Sequence, residues 1–103
     1  MRNIKLTMEY VGTNFCGFQK QPDVPTIQGE LEKALKILLK EEVKTIGAAR
    51  TDAGVHALCQ VVNFQTSSLI LLSRLKGSLN GLLPTDITIT KAEDASSHFH
   101  ARR

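Results

Sequence analysis

The sequence has little of what marks several common protein classes. Among its 103 residues there is no tryptophan, one tyrosine and two cysteines, Cys16 and Cys59. The cysteines lack both the Cys-x-x-Cys spacing and the neighbouring pair of histidines of a zinc site, and their spacing does not indicate a disulfide framework. We therefore expect two reduced thiols and no metal site.

Long apolar runs are also missing, so the sequence predicts no membrane-spanning segment. The polar start Met1-Arg2-Asn3 leads into an alternating pattern rather than the apolar core of a signal peptide, and we expect a cytoplasmic protein. Thirteen Lys and Arg against ten Asp and Glu give a net charge of +3. That balance is compatible with a polyanionic partner but does not demonstrate one.

Hydrophobic spacing predicts six secondary-structure elements. Alternating apolar residues predict a strand over 4–10, and helical spacing after an N-cap at Thr26 predicts a helix to about Lys40. Two strands over 43–48 and 55–64 follow, then a second helix, and a last strand begins near Ile87. For the second helix we expect a cap at Ser67 or Ser68 and an end at Asn80-Gly81 in a left-handed conformation.

The order strand, helix, strand, strand, helix, strand is that of the ferredoxin-like βαββαβ fold. We therefore predict a single α+β domain over residues 1–103, with an antiparallel sheet and both helices on one face. The polar segment from Ala95 to Arg103 has no evident packing role. This architecture alone does not indicate an activity.

A short segment between the two middle strands carries the chemistry. In Arg50-Thr51-Asp52-Ala53-Gly54 a carboxylate stands beside a guanidinium, which would favour the ionised form of Asp52 and could equally bind phosphate. Ala53 and Gly54 leave room for a large planar group such as an extruded base. Taken alone, the tripeptide Asp-Ala-Gly is more often an ordinary turn with an incidental ion pair.

The longer run Arg50-Thr51-Asp52-Ala53-Gly54-Val55-His56-Ala57 resembles the signature of the tRNA pseudouridine synthase A (TruA) family. Collinear segments agree with the same family along the whole chain: residues 10–19 with Gln21, 26–28 with 31–32, 79–80 with 83–84 and 86–87, and 99–102. One position departs from the family pattern. Ala49 stands where glycine is usual, and we expect a slightly altered loop geometry there.

The resemblance implies conversion of uridine to pseudouridine in the anticodon stem-loop of tRNA, at positions 38 to 40, by a homodimer without metal or organic cofactor. Asp52 would be the catalytic carboxylate, which attacks the ribose anomeric carbon, abstracts a proton there, or adds to the uracil ring. Arg50 is the first candidate for contacting the displaced RNA backbone and Arg102 the second. Gln19 lies where the family contacts tRNA, although a loop glutamine is more often merely hydrated.

Several other residues have simpler interpretations. Phe15 and Phe18 are expected to anchor the first loop to the core rather than stack on bases. His56 is expected to fix the turn through its ring nitrogens, more than to contact phosphate or Asp52. His98 and His100 are interpreted as surface residues.

Members of this family are about twice as long as this chain. We therefore expect the chain to be an N-terminal half that lacks the C-terminal half, to be weakly active or inactive alone, and to self-associate through uncovered apolar surface. One alternative is a non-catalytic ferredoxin-like RNA-binding domain, although only Tyr10 and Phe64 are aromatic in the predicted strands. Another is a small hydrolase or ligand-sensing module in which Arg50 binds an anion.

Overall fold

A computed structural model describes residues 1–102, and its elements follow the predicted order. The described residues form four strands, β1 to β4, and two helices, α1 and α2. A 3-10 turn, Gly12–Asn14, follows the first strand. In chain order their bounds are β1 Arg2–Tyr10, α1 Ile27–Leu39, β2 Ile46–Gly47, β3 Ala57–Thr66, α2 Leu72–Leu82 and β4 Ile87–Ala95.

The four strands form one sheet in the order β2-β3-β1-β4, with every neighbouring pair antiparallel. This is the ferredoxin-like arrangement, so the predicted fold class is confirmed. β1 is the long central strand and shifts register against both neighbours near its end, around Met8. β2 and β4 are the two edges of the sheet.

The helices cover one face of the sheet, and the core lies between the helices and that face. Alternate residues of β1 are buried on that face, as its period-two pattern predicts. The other buried apolar residues come mainly from the helices, from β3 and from β4. The core contains Ile4, Leu6, Met8, Ile27, Leu31, Leu35, Val62, Phe64, Leu75, Leu79 and Ile89, each with at most 1% of its surface exposed.

Helix α1 begins where its sequence predicts and ends within one residue of the predicted end. The hydroxyl oxygen of Thr26 accepts the Gly29 N–H at 3.1 Å, which confirms Thr26 as the N-cap. At the other end Lys40 is left-handed, with φ 57°, and its N–H donates to the Lys36 carbonyl. The helix therefore stops one residue earlier than expected.

The predicted ends of α2 are wrong. The helix begins at Leu72, and Leu71 at the N-cap position makes no side-chain cap bond. Ser68 instead uses its hydroxyl to accept the Ile70 N–H, and Ser67 donates to Glu41, so both serines serve the turn before the helix. At the other end the helix continues through Gly81 to Leu82, and Leu83 stops it in an extended conformation.

Two middle strands also differ from their predicted ranges. β2 is reduced to Ile46–Gly47, because residues 43–45 leave the ladder; Val43 is buried in the core and Thr45 bonds to Glu32 of α1. β3 is shifted two residues toward the C-terminus relative to the prediction. The shift leaves residues 48–56 as an irregular connection, which we call the motif loop.

The segment after β4 packs across the face of the sheet opposite the helices. The side-chain amide of Asn3 donates to the carbonyls of Ser96 and Phe99, at 2.8 and 2.9 Å. Asn63 donates to the Asn3 side-chain oxygen and accepts the Ala101 N–H. Residues 96–101 thus have a packing role, which the expectation for this polar segment missed. Within residues 1–102, neither helix is long and apolar enough to cross a membrane.

Candidate active site

Asp52 lies in the motif loop, which is held against the first loop, residues 11–25 between β1 and α1. Two backbone hydrogen bonds join the loops: Phe18 N–H donates to the Thr51 carbonyl at 3.0 Å, and Gly54 N–H donates to the Phe15 carbonyl at 3.3 Å. The position of Asp52 therefore depends on both loops.

Thr51 is the fixed point of the motif loop. Its side-chain hydroxyl is hydrogen-bonded to that of Tyr10, at the end of β1, at 2.8 Å, and its carbonyl accepts the bond from the first loop described above. Arg50 and Asp52, on either side, are both exposed. The fold thus fixes the backbone at Thr51 and leaves the two flanking side chains free to meet a ligand.

Gly17 allows the two loops to approach this closely. Its φ is +89°, a region that favours glycine, and a Cβ at this position would lie 2.8 Å from the Thr51 carbonyl oxygen. Any other residue at 17 would strain the first loop and push it away from Thr51.

A tight turn follows the carboxylate. The Asp52 carbonyl accepts the Val55 N–H at 3.1 Å, and Gly54, third in this four-residue turn, has φ +79°. A positive φ at that place is the requirement of a type II turn, which glycine meets without strain. No atom lies within 4 Å of the place a Gly54 Cβ would take, so the requirement is conformational and not one of space.

Gln60 holds the start of the motif loop. It is 4% exposed on β3, and its side chain bonds both backbone groups of Ala49: Nε2 donates to the carbonyl at 2.6 Å and Oε1 accepts the N–H at 3.3 Å. Ala49 has no positive φ. Alanine therefore fits this backbone without strain where the family usually has glycine.

His56 closes the loop at its other end. Its Nδ1 accepts the Gly12 N–H at 2.8 Å, which assigns the ring proton of the neutral imidazole to Nε2. A side chain at position 12 would collide with the Val55 backbone, only 2.0 Å from a Cβ there. The interpretation of His56 as a residue that fixes the turn is confirmed.

The two loops enclose an open cleft of about 470 Å³. Asp52, Arg50 and Gln19 all line it, so three of the predicted site residues come together. The remaining lining residues are Cys16, Gly17, Gln21, Thr51 and Ala53. Four of these five residues are small, and they leave the carboxylate accessible to a planar group.

No ion pair joins Arg50 to Asp52, although both lie within the described residues and the sequence suggested one. Both side chains are exposed, and an exposed pair gains too little to hold two side chains in one geometry. The guanidinium is therefore not committed to the carboxylate and is available to another anion.

Two predicted site residues lie outside this cleft. Gly54 is not among its lining residues and shapes the turn instead. Arg102 lies at the β2 edge, where its Nε donates to the Gly47 carbonyl at 3.3 Å. Gln21, inside the cleft, donates to the Cys16 carbonyl and so braces the first loop.

The aromatic residues of the first loop anchor it, as expected. Phe15 and Phe18 are buried, and the Phe18 ring stacks on Tyr10 with 6.4 Å between centroids. Sequence reasoning missed the supporting roles of Tyr10, Gly17 and Gln60. The one available signal was Gln60, a polar residue between apolar neighbours at a core-facing position of its strand.

The fold and the cleft together define a ferredoxin-like domain that presents an accessible carboxylate on a loop. A family model described as "tRNA pseudouridine synthase" matches residues 6–102 of this sequence. The chain belongs to that family.

Three individual relatives show how similar this chain is to particular proteins. The chain is 56% identical over 104 residues to a protein of Dictyoglomus thermophilum named tRNA pseudouridine synthase A, and 54% identical over 102 residues to a protein of the same name in Caldicellulosiruptor bescii. It is 52% identical to tRNA pseudouridine synthase A 2 of Clostridium perfringens. Each alignment covers 99% of this chain and 42% of the relative's length.

Proposed function

We propose that this chain supplies the catalytic carboxylate of a tRNA pseudouridine synthase that acts on uridines 38 to 40 of the anticodon stem-loop. One observation carries the proposal. Thr51 is fixed by Tyr10 and Phe18, while the neighbouring Asp52 is exposed in a cleft, between the small residues Thr51 and Ala53. A rigid support with a free carboxylate is the arrangement that chemistry on an extruded base requires.

The reaction is an isomerisation and balances without a redox partner. The bond between uracil N1 and ribose C1′ breaks, the base turns, and C5 bonds to C1′. The C5 proton is lost and N1 gains one. Asp52 enters by attack on C1′, by proton abstraction on the ribose, or by addition to the uracil ring, and we propose no choice among these.

Arg50 supports the same proposal through its position. It lines the cleft beside Asp52 without being paired to it, so its guanidinium can bind a phosphate of the RNA strand. Such contacts offset the cost of a few kcal/mol of taking a base out of its stack. Gln19, which belongs to the first loop and also lines the cleft, can hydrogen-bond the extruded nucleotide.

We further propose that the chain forms one half of the working cleft. It spans about two fifths of the length of the relatives it matches. On this proposal the chain alone converts uridine weakly or not at all, and the complete protein works as a cytoplasmic homodimer.

The test uses two proteins, the chain itself and a chimera. In the chimera the chain replaces the matching residues of the Dictyoglomus thermophilum relative. Pseudouridine is mapped in an unmodified tRNA transcript, with the unaltered relative as the positive control. We expect the chimera to convert uridine at 38 to 40. Asp52→Asn should lower that rate by more than about a thousandfold, as loss of a catalytic group does.

Asp23→Asn is the matched control. Asp23 is an exposed loop aspartate with φ 63°, a conformation that asparagine tolerates well. It should leave conversion unchanged. RNA affinity should persist in Asp52→Asn, because only a negative charge near the phosphates is removed. Conversion by Asp52→Asn at the parent rate would contradict the proposal, as would a chimera that leaves the transcript unmodified.

A further inference from the structure

A second groove lies on the face of the sheet opposite the helices. It has a volume of about 530 Å³ and runs between residues 97–100 and the β2 side of the sheet. We call it the sheet groove. Its lining residues are Lys44, Ile46, Asn63, Phe64, Gln65, Ser97, His98, Phe99 and His100. None of the sequence motifs discussed above assigns a role to Lys44 or to this groove.

The burial of its two neighbours explains why Lys44 lies here. Ile46 is the antiparallel partner of Asn63, whose amide bonds to residues on this open face. Lys44 precedes β2 and is exposed, whereas its neighbours Val43 and Thr45 are buried, Thr45 against Glu32 of α1. Lys44 is therefore left on the open side, where it lines the groove.

The groove is basic and free of carboxylates. Among the lining residues that the structure describes none is acidic, and one ammonium and two imidazoles are present. The acidic residues nearest in sequence to Lys44 have other partners: Glu41 bonds to Thr66 and Ser67, and Glu42 pairs with Lys36 at 2.7 Å. Within the described residues no ion pair includes Lys44.

The short strand β2 joins the segment of Lys44, which lines this groove, to the motif loop, which carries Arg50. Arg102 bonds to the carbonyl of Gly47, which stands midway between Lys44 and Arg50 in the sequence. Arg102 therefore lies at the sheet edge between the segment of Lys44 and the start of the motif loop.

We propose that Lys44 and Arg102 form a phosphate-binding track along the β2 edge, which carries the RNA strand leading to the nucleotide held at Asp52. The proposal rests on the proposed function, since it takes RNA as the polyanion. Cations without carboxylate partners along one edge of the sheet suit a phosphate backbone, and such contacts position a strand without reading its sequence. The imidazoles of His98 and His100 provide further donors along the same path.

Salt dependence of RNA binding tests the track. The affinity of the 103-residue chain for an anticodon stem-loop RNA is measured by fluorescence anisotropy between 50 mM and 1 M salt. The variants are Lys44→Gln, Arg102→Gln and both together. Lys76→Gln is the control, because it removes the same charge from an exposed position on α2, across the sheet.

We expect each track variant to make the plot of log affinity against log salt shallower by about 0.7 to 0.9. If affinities converge at 1 M salt, that corresponds to a loss of about five- to eightfold at 0.1 M. The double variant should show the sum of the two slope changes. The Lys76→Gln slope should equal that of the parent chain.

Two results would overturn the track. In the first, the parent chain binds RNA and all variants show the same dependence of log affinity on log salt as the parent. That result would place the RNA elsewhere. The second is absence of RNA binding by the parent chain at 50 mM salt. Neither result decides the role of Asp52, which the conversion assay on the chimera tests separately.

Discussion

The buried amides Asn3 and Asn63 hold the C-terminal segment on the open face of the sheet, and Asn63→Ala tests how much that segment depends on them. Asn63 is 3% exposed and Asn3 5%. Truncation removes the donor to the Asn3 oxygen, at 3.0 Å, and the acceptor of the Ala101 N–H, at 2.8 Å. Two polar groups that now have partners would lose them.

The magnitude follows from that count. A buried polar group left without a partner costs about 1–3 kcal/mol. Water reaches part of the exposed segment after the change, so we place the total for two groups at about 2–4 kcal/mol. Small domains have stabilities of about 5–15 kcal/mol, so this is a large fraction. At roughly 5 °C per kcal/mol, the melting temperature should fall by about 10–20 °C.

Urea unfolding and amide hydrogen exchange provide the assay. Asn63→Ala should lower the free energy of unfolding by the stated amount and speed exchange across residues 96–101. Gln65→Ala is the control, because Gln65 is exposed two residues further along the same strand face. A loss in Asn63→Ala no larger than that in Gln65→Ala would refute the role given to the buried amides.

Two further predictions concern the first loop and acid stability. Gly17→Ala should lower the free energy of unfolding by about 1–3 kcal/mol and reduce conversion in the chimera, because it combines positive φ with a collision at the Thr51 carbonyl. Gly77→Ala, in open space on α2, should be neutral or stabilising by up to about 1 kcal/mol, and equal losses in both variants would count against this account. Hydrogen bonds from Thr66 and Ser67 lower the pKa of Glu41 from 4.5, so its stabilisation is present above pH 4.5 and is lost as the pH falls below that value. Stability measured from pH 6 to pH 3 should therefore fall less steeply in Glu41→Gln than in the parent chain, and parallel curves would exclude this contribution.

Periodicity predicted the elements that bury a face. The predicted bounds of β1 and α1 came close to the observed ones, because alternation along the strand and the cap at Thr26 are local signals. The ends of α2 were wrong because Ser67 and Ser68 had competing partners, one of them Glu41, twenty-six residues away. A capping preference cannot show which of several acceptors a hydroxyl will meet.

The C-terminal segment gave no hydrophobic signal. It is held chiefly by side-chain amides that bond to backbone groups, and such contacts leave no periodic trace in sequence. For the same reason Arg102 could be named as a candidate but not placed. Only the fold shows that it lies on Gly47 and not beside Asp52.

The sequence predicted that Asp52, Arg50 and Gln19 belong to one site, and they do line one cleft, but it did not predict the residues that support them. The motif around Asp52 is continuous in sequence, and its resemblance to a family suggested the expected roles of Asp52 and Arg50. Gln60 and Tyr10, which hold the start and the middle of the motif loop, lie on strands outside it. Their contribution comes from tertiary contacts, which require the fold.

The contacts between the first loop and the motif loop have a consequence for how substrate preference can evolve. The first loop contributes only main-chain atoms to the bonds at Phe18, Phe15 and Gly12. Exposed side chains of that loop, such as Gln19, can therefore be replaced during evolution while the loop stays bound to the motif loop and Asp52 keeps its position. Under the proposed function, such changes would alter which nucleotides are accepted without disturbing the backbone that supports Asp52.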